Sequence, residues 1–217
     1  MRNRVTRWAV LTCALGVIAG CAEAADEETP EEAPDAADEQ ATEEAPDTEE
    51  GTAAHLEPGN YRVECYVKTD GVWHTDSMLV DLTVTEERSG APEPDADFEV
   101  TVTNDGLGID GEVEAGERTF AVEFAEQRLH GNALWHDVHV ARVDDDTDLD
   151  ELAAWMNWAN PEGLEDPAPA VFIGGALMMP EGSTAYVTVD LEPGECAFIA
   201  EVDDPQDKDM LETVTVP

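Results

Sequence analysis

The chain has 217 residues, 52 of them Asp or Glu against 10 Lys or Arg, for a formal net charge of −42. That length suits one domain with tails, and the charge excludes nucleic-acid recognition, which needs a basic face, as well as electrostatic docking on an anionic bilayer. Apolar residues make up 42% of the chain, enough for a core somewhere, but the composition shifts sharply along its length.

Residues 1–20 read as a signal peptide. Arg2, Arg4 and Arg7 form a positive start, and Trp8 to Ala19 is an apolar run too short to span a bilayer as a helix. The run ends Ile18-Ala19-Gly20-Cys21, which resembles the lipobox of bacterial lipoproteins. The resemblance implies cleavage before Cys21, lipidation of Cys21, and residence on the extracytoplasmic face of the membrane. A multiply acylated cysteine anchors stably where a single chain does not.

Residues 21–55 read as a disordered tether carrying the lipidated Cys21. Residues 22–55 hold 14 acids and no Lys or Arg, with Ala, Pro and Thr filling most of the rest. Such a segment has no apolar periodicity with which to build a core. As a flexible coil its 34 residues reach about 30–35 Å, and further as like charges repel.

Residues 56–217 read as the folded domain. The part from 57 onward holds 38 of the acids against seven Lys or Arg. A surface this acidic repels itself at low salt and is relieved by screening at high ionic strength. Short alternating runs predict strands at Tyr61–Lys68, Met78–Thr85, Phe98–Thr103, Arg118–Phe124, Leu134–Val143, Val171–Met178, Thr184–Leu191, Ala197–Val202 and Leu211–Val216. Turns are marked by Asn104-Asp105-Gly106, Asp110-Gly111, Pro180-Glu181-Gly182 and Pro193-Gly194. This pattern predicts a mainly β, antiparallel-style sandwich. One helix interrupts it: Asp148 caps it with Glu151 three residues on, Leu152, Trp155, Met156 and Ala159 follow the helical period, and Asn160-Pro161 ends it. The acid run Asp144–Glu151 lacks the glycine that a calcium loop needs at its sixth position, so it is read as acid loading of the helix start.

An internal echo links the two ends of the domain. Leu56-Glu57-Pro58-Gly59 and Leu191-Glu192-Pro193-Gly194 each lead a strand, a polar loop, a Met (Met78, Met210) and a second strand. Residues 56–90 therefore form an extra N-terminal hairpin. A lone hairpin is marginal in water and should pack on the main sandwich of residues 98–217.

From Phe98 onward the order of parts resembles a cupredoxin-like domain. The parts are the turn before Ala115-Gly116-Glu117-Arg118-Thr119-Phe120, then His136-Asp137-Val138-His139, the helix, Val171-Phe172-Ile173-Gly174-Gly175, and the Pro-Gly motif before the last hairpin. The resemblance implies a Greek-key β-sandwich. It also implies a place for type 1 copper, which takes two His, a Cys thiolate and a weak axial Met. His136 lies where the first His belongs and Met210 where the Met belongs. Ala200 occupies the Cys position, and Glu201 to Asp209 contains no His. The family site is therefore expected to be lost, with no cofactor favoured. An alternative keeps copper at a composite site of His136, Cys65, His74 and Met78, because the hairpin carries Cys65, His74 and Met78 in the family's order.

Cys65 has a competing fate. Cys13 leaves with the signal and Cys21 is lipidated, so Cys65 and Cys196 remain as an even pair in an oxidising compartment, where a disulfide is expected. His136 and His139 are three apart on a strand and face opposite ways, one buried and one exposed. Only three serines are present, none in a nucleophile elbow, and no phosphate loop is found. These readings predict a non-enzymatic binding or interaction module. It would be anchored to the membrane through Cys21 and would meet an extracytoplasmic protein or small ligand. The alternative is a copper electron carrier.

Overall fold

The computed structural model of the chain describes residues 9–11, 51–87, 90–129 and 135–217. Cys21, the tether up to residue 50, His130 and Leu134 lie outside the described residues. The strands in chain order are β1 (Ala9–Leu11), β2 (Gly51–Ala54), β3 (Gly59–Glu64), β4 (Lys68–Thr69), β5 (Val72–Trp73), β6 (Leu79–Val84), β7 (Phe98–Thr103), β8 (Gly106–Asp110), β9 (Gly116–Phe124) and β10 (Val138–Val143). The helix α1 (Leu149–Met156) follows, then β11 (Val171–Ala176), β12 (Ser183–Leu191), β13 (Gly194–Ile199) and β14 (Leu211–Val216).

Two sheets make the sandwich. One is ordered β1-β2-β12-β9-β7-β8 and the other β11-β10-β13-β14. The chain crosses between them from β9 to β10, from β11 to β12 and from β12 to β13, so sheet neighbours are often not sequence neighbours. The β7–β9 pairing is parallel, while the other pairings within the two sheets are antiparallel. This is the mainly β two-sheet sandwich that the sequence predicts, with one helix inserted between β10 and β11 and an N-terminal hairpin formed by β3 and β6.

Alternation drives the packing. Phe98, Val100 and Val102 of β7, Phe120, Val122 and Phe124 of β9, and Val187, Val189 and Leu191 of β12 point inward. They meet Val138 and Val140 of β10 and Cys196 and Phe198 of β13. Phe98 stacks on Phe120 with centroids 5.0 Å apart, and Phe198 stands edge-on to both. A second, smaller cluster covers the outer face of the β10–β13 sheet. There Ala141, Ala197 and Ile199 meet Leu152 and Met156 of α1, with Tyr66, Trp155 and Phe172 at the rim. Between β10 and β11 the register slips at Val140/Ala141. A Cβ on Gly175 would lie 2.4 Å from the Val138 carbonyl oxygen, so the close approach of these strands needs glycine there.

The differences from the sequence reading have physical reasons. Gly51–Ala54, assigned to the tether on composition, forms a strand beside β12 and buries Ala54. β1, inside the apolar run of the expected signal, pairs with β2 at that sheet's edge. β8 lies where turn residues dominate the sequence. The helix stops at Met156 because Asn157 is extended, four residues before Asn160-Pro161. Asp148 does cap it, its Oδ1 accepting from the backbone N–H groups of Asp150 and Glu151. The hairpin docks through β4: Lys68 N–H donates to Leu164 O, Asp166 N–H donates to Lys68 O, and the Lys68 ammonium donates to Pro161 O at 2.8 Å.

Candidate functional site

Strand parity sorts the candidates onto two faces. Cys196 and Phe198 of β13 face the sandwich core, and Ala200 follows them inward. Ala197 and Ile199 face outward, and Glu201 follows them. On β10, Val138 and Val140 face inward, while His139 and Ala141 share the outer side with Asp137, the residue just before the strand. His136 thus falls on the inner side and is fully buried, whereas His139 is half-buried on the other.

At the inner position His136 is held by its backbone: its N–H donates to Gln127 Oε1 and its carbonyl accepts from Gln127 Nε2, both at 2.9 Å. Ala200, Val202, Pro205 and Met210 are buried. The loop closes on itself, with Ala200 N–H donating to Met210 O, Met210 N–H to Pro205 O and Val202 N–H to Ala200 O. Its far end is pinned to β8 by Leu107 N–H donating to Asp209 O at 2.9 Å. The buried donor set here is one imidazole and one thioether, and Ala200, Val202 and Pro205 beside them offer no side-chain ligand atom. These residues do not fit type 1 copper.

The composite set is only partly assembled. Cys65 Sγ lies 3.7 Å from His74 Nδ1, and His74 Nε2 lies 2.9 Å from Thr69 Oγ1. Met78 is tied to both through backbone hydrogen bonds. His136 does not join Cys65 and His74 in a group of converging donors, because it faces the core of the sandwich while the hairpin packs outside it. The expected Cys65–Cys196 disulfide is not formed, and both residues are thiols. Cys196 points into the core, its Sγ 3.8 Å from Val214 O, while Cys65 sits in the separate hairpin beside His74. Burial, and then the charge of Glu195, push the Cys196 thiol up to about 11.

The outer face carries a cluster that sequence reasoning missed. Ligand atoms of Asp137, His139 and Glu201 all lie within 4.8 Å of one another. Asp137 is buried; its Oδ2 sits 3.1 Å from His139 Nε2 and its Oδ1 accepts the backbone N–H of Glu201 at 2.7 Å. Phe172 stands edge-on to the His139 ring at 6.1 Å. Burial pulls His139 down, but the charge and hydrogen bond of Asp137 together with the charge of Glu201 outweigh it and hold the imidazole above its ordinary value. Burial, followed by the charge of Asp137, pushes Glu201 up to about 8. Tyr66 is raised by burial, by its hydrogen bond to Glu64 and by the charges of Glu64 and Glu201. Asp137-x-His139 on one strand face was a readable signal. Glu201 joins only through the β10–β13 register.

No family model matches the chain, and none of the curated proteins matches it. Among solved structures the chain is similar to a dithionite-reduced auracyanin from the photosynthetic bacterium Roseiflexus castenholzii, at 16% identity, over 55% of this chain and 94% of that one, with a TM-score of 0.40. It is also similar to auracyanin B, at 17% identity, over 59% of this chain and 95% of that one, with a TM-score of 0.38.

Proposed function

We propose that the chain is a non-enzymatic, cupredoxin-like binding module, held at the extracytoplasmic face of the membrane by lipidated Cys21 and working without type 1 copper. The observation that carries the reading is the replacement at Ala200. Where the family would place a thiolate there is a methyl group, and Val202, Pro205 and Met210 close over it in a self-bonded loop. Without a thiolate such a site has neither the strong ligand nor the tuned potential of an electron carrier.

The interaction reading draws support from the hairpin. Val72, Trp73, Met78, Leu79 and Val80 are all more than a third exposed and follow one another along β5, the turn and β6. A run of large apolar side chains at the surface of a chain this acidic is the kind of feature that marks a protein interface. The alternative, electron transfer through a composite copper site, rests on the 3.7 Å approach of Cys65 and His74. One experiment separates the two. The full chain is titrated with Cu(II) and its visible spectrum and redox response are recorded. The binding-module reading predicts no intense blue absorption. A strong blue band, lost in Cys65→Ser, would establish the electron carrier instead.

A further inference from the structure

We propose that Asp137, His139 and Glu201 form a binding site for one divalent cation of the zinc class, on the outer face of the β10–β13 sheet. The site is separate from the family copper position, which lies on the opposite face at His136 and Ala200, and the inference does not depend on the function proposed above.

An imidazole with two carboxylates suits zinc and its neighbours, whereas calcium and magnesium prefer all-oxygen cages. Zinc is held at about 2.0–2.1 Å from nitrogen or oxygen, so two ligand atoms of a tetrahedral site stand about 3.3 Å apart. Asp137 Oδ2 and His139 Nε2 are already 3.1 Å apart. The Glu201 carboxylate lies within 4.8 Å of both and closes the remaining gap by a side-chain rotation. Three protein ligands leave a fourth position for water or a ligand.

The surroundings are those of a held site. Asp137 is 4% exposed, and the Glu201 backbone N–H fixes its carboxylate from behind, as an outer partner orients a metal ligand. The ring of Phe172 flanks His139, and Ile199 lies opposite His139 in the sheet register. A plain Asp–His ion pair accounts for two of the three groups. Glu201 adds a third donor atom within 4.8 Å of both, on the same face of the sheet.

The test is a Zn²⁺ titration of the full chain by calorimetry in about 1 M salt, which screens diffuse binding to the acidic surface. One saturable site is expected. His139→Ala and Glu201→Gln should each weaken it by at least about 100-fold, the upper end of what loss of an outer partner costs. Cys65→Ser should leave it unchanged. X-ray absorption of the unsubstituted zinc-loaded chain should show a nitrogen/oxygen shell near 2.0–2.1 Å with an imidazole signature. Absence of a saturable site, full binding in both His139→Ala and Glu201→Gln, or a sulfur shell near 2.3 Å would each overturn the proposal. Cu(II) held by the same residues would lack a thiolate and show no intense blue band. A failure of this site and a failure of the copper-free reading are therefore distinguishable.

Discussion

Lys68 is the residue whose loss should most clearly reveal how the N-terminal hairpin is held. It is 5% exposed, its ammonium donates to Pro161 O at 2.8 Å, and the same group sits 4.9 Å from the Trp73 ring centre. A hydrogen bond from a charged donor contributes about 1.5–3 kcal/mol, and a partly desolvated cation–π contact adds about 1 kcal/mol. Lys68→Ala should therefore cost about 2.5–4 kcal/mol, which for a domain of this size lowers Tm by about 5–12 °C. Lys68→Met keeps the stem and should recover part of that loss. The acceptor is a neutral carbonyl, so the loss should persist at about 1 M salt, where surface repulsion is screened. Thermal unfolding by circular dichroism at low and high salt measures this, and limited proteolysis reports on residues 56–90. Both variants melting within about 1 °C of the parent chain at both salts would refute the idea that Lys68 fastens the hairpin.

Further outcomes follow from the same structure. In native protein at pH 8, a thiol reagent should modify Cys65 quickly and Cys196 hardly at all, because a thiol at about 11 in the core is about one-thousandth thiolate; rapid labelling of Cys196 in Cys65→Ser would contradict this. Gly175→Ala should destabilise the domain by at least about 2 kcal/mol, since its Cβ would fall 2.4 Å from a backbone oxygen, and a chemical denaturation midpoint checks it. Phe120→Ala should cost about 3–5 kcal/mol by opening the stacked aromatic centre of the core, read by the same denaturation. Cys21→Ala expressed in a bacterial host should move the protein from the membrane fraction to the soluble one; unchanged membrane association would count against lipid anchoring.

The fold was legible where side chains alternate cleanly. Phe98–Thr103 and Leu211–Val216 are strands with the limits that their alternation predicts. Legibility failed where composition and pairing disagree. Gly51–Ala54 has the composition of a tether, yet β12 offers it an open edge, and backbone pairing outweighs weak propensity. β8 carries Gly106 and Gly108 and reads as a turn, but β7 holds it in register from Thr103 to Glu99. The candidate site divides in the same way. That Ala200 follows Cys196 and Phe198 into the core can be read directly from the alternation of that strand. The opposite facing of His136 and His139 follows from strand parity alone. Glu201 could not be placed beside Asp137, 64 residues away, without knowing that β13 lies against β10. The spare pair Cys65 and Cys196 suggested a disulfide by arithmetic, but parity turns Cys196 into the core, away from the hairpin.

The proposed function requires that the buried space between His136, Ala200 and Met210 hold no copper. Crystals of the full chain equilibrated with copper, with anomalous scattering recorded at the copper edge, test it most directly. No anomalous peak is expected between His136, Ala200 and Met210. A well-occupied copper peak bonded to His136 would contradict it.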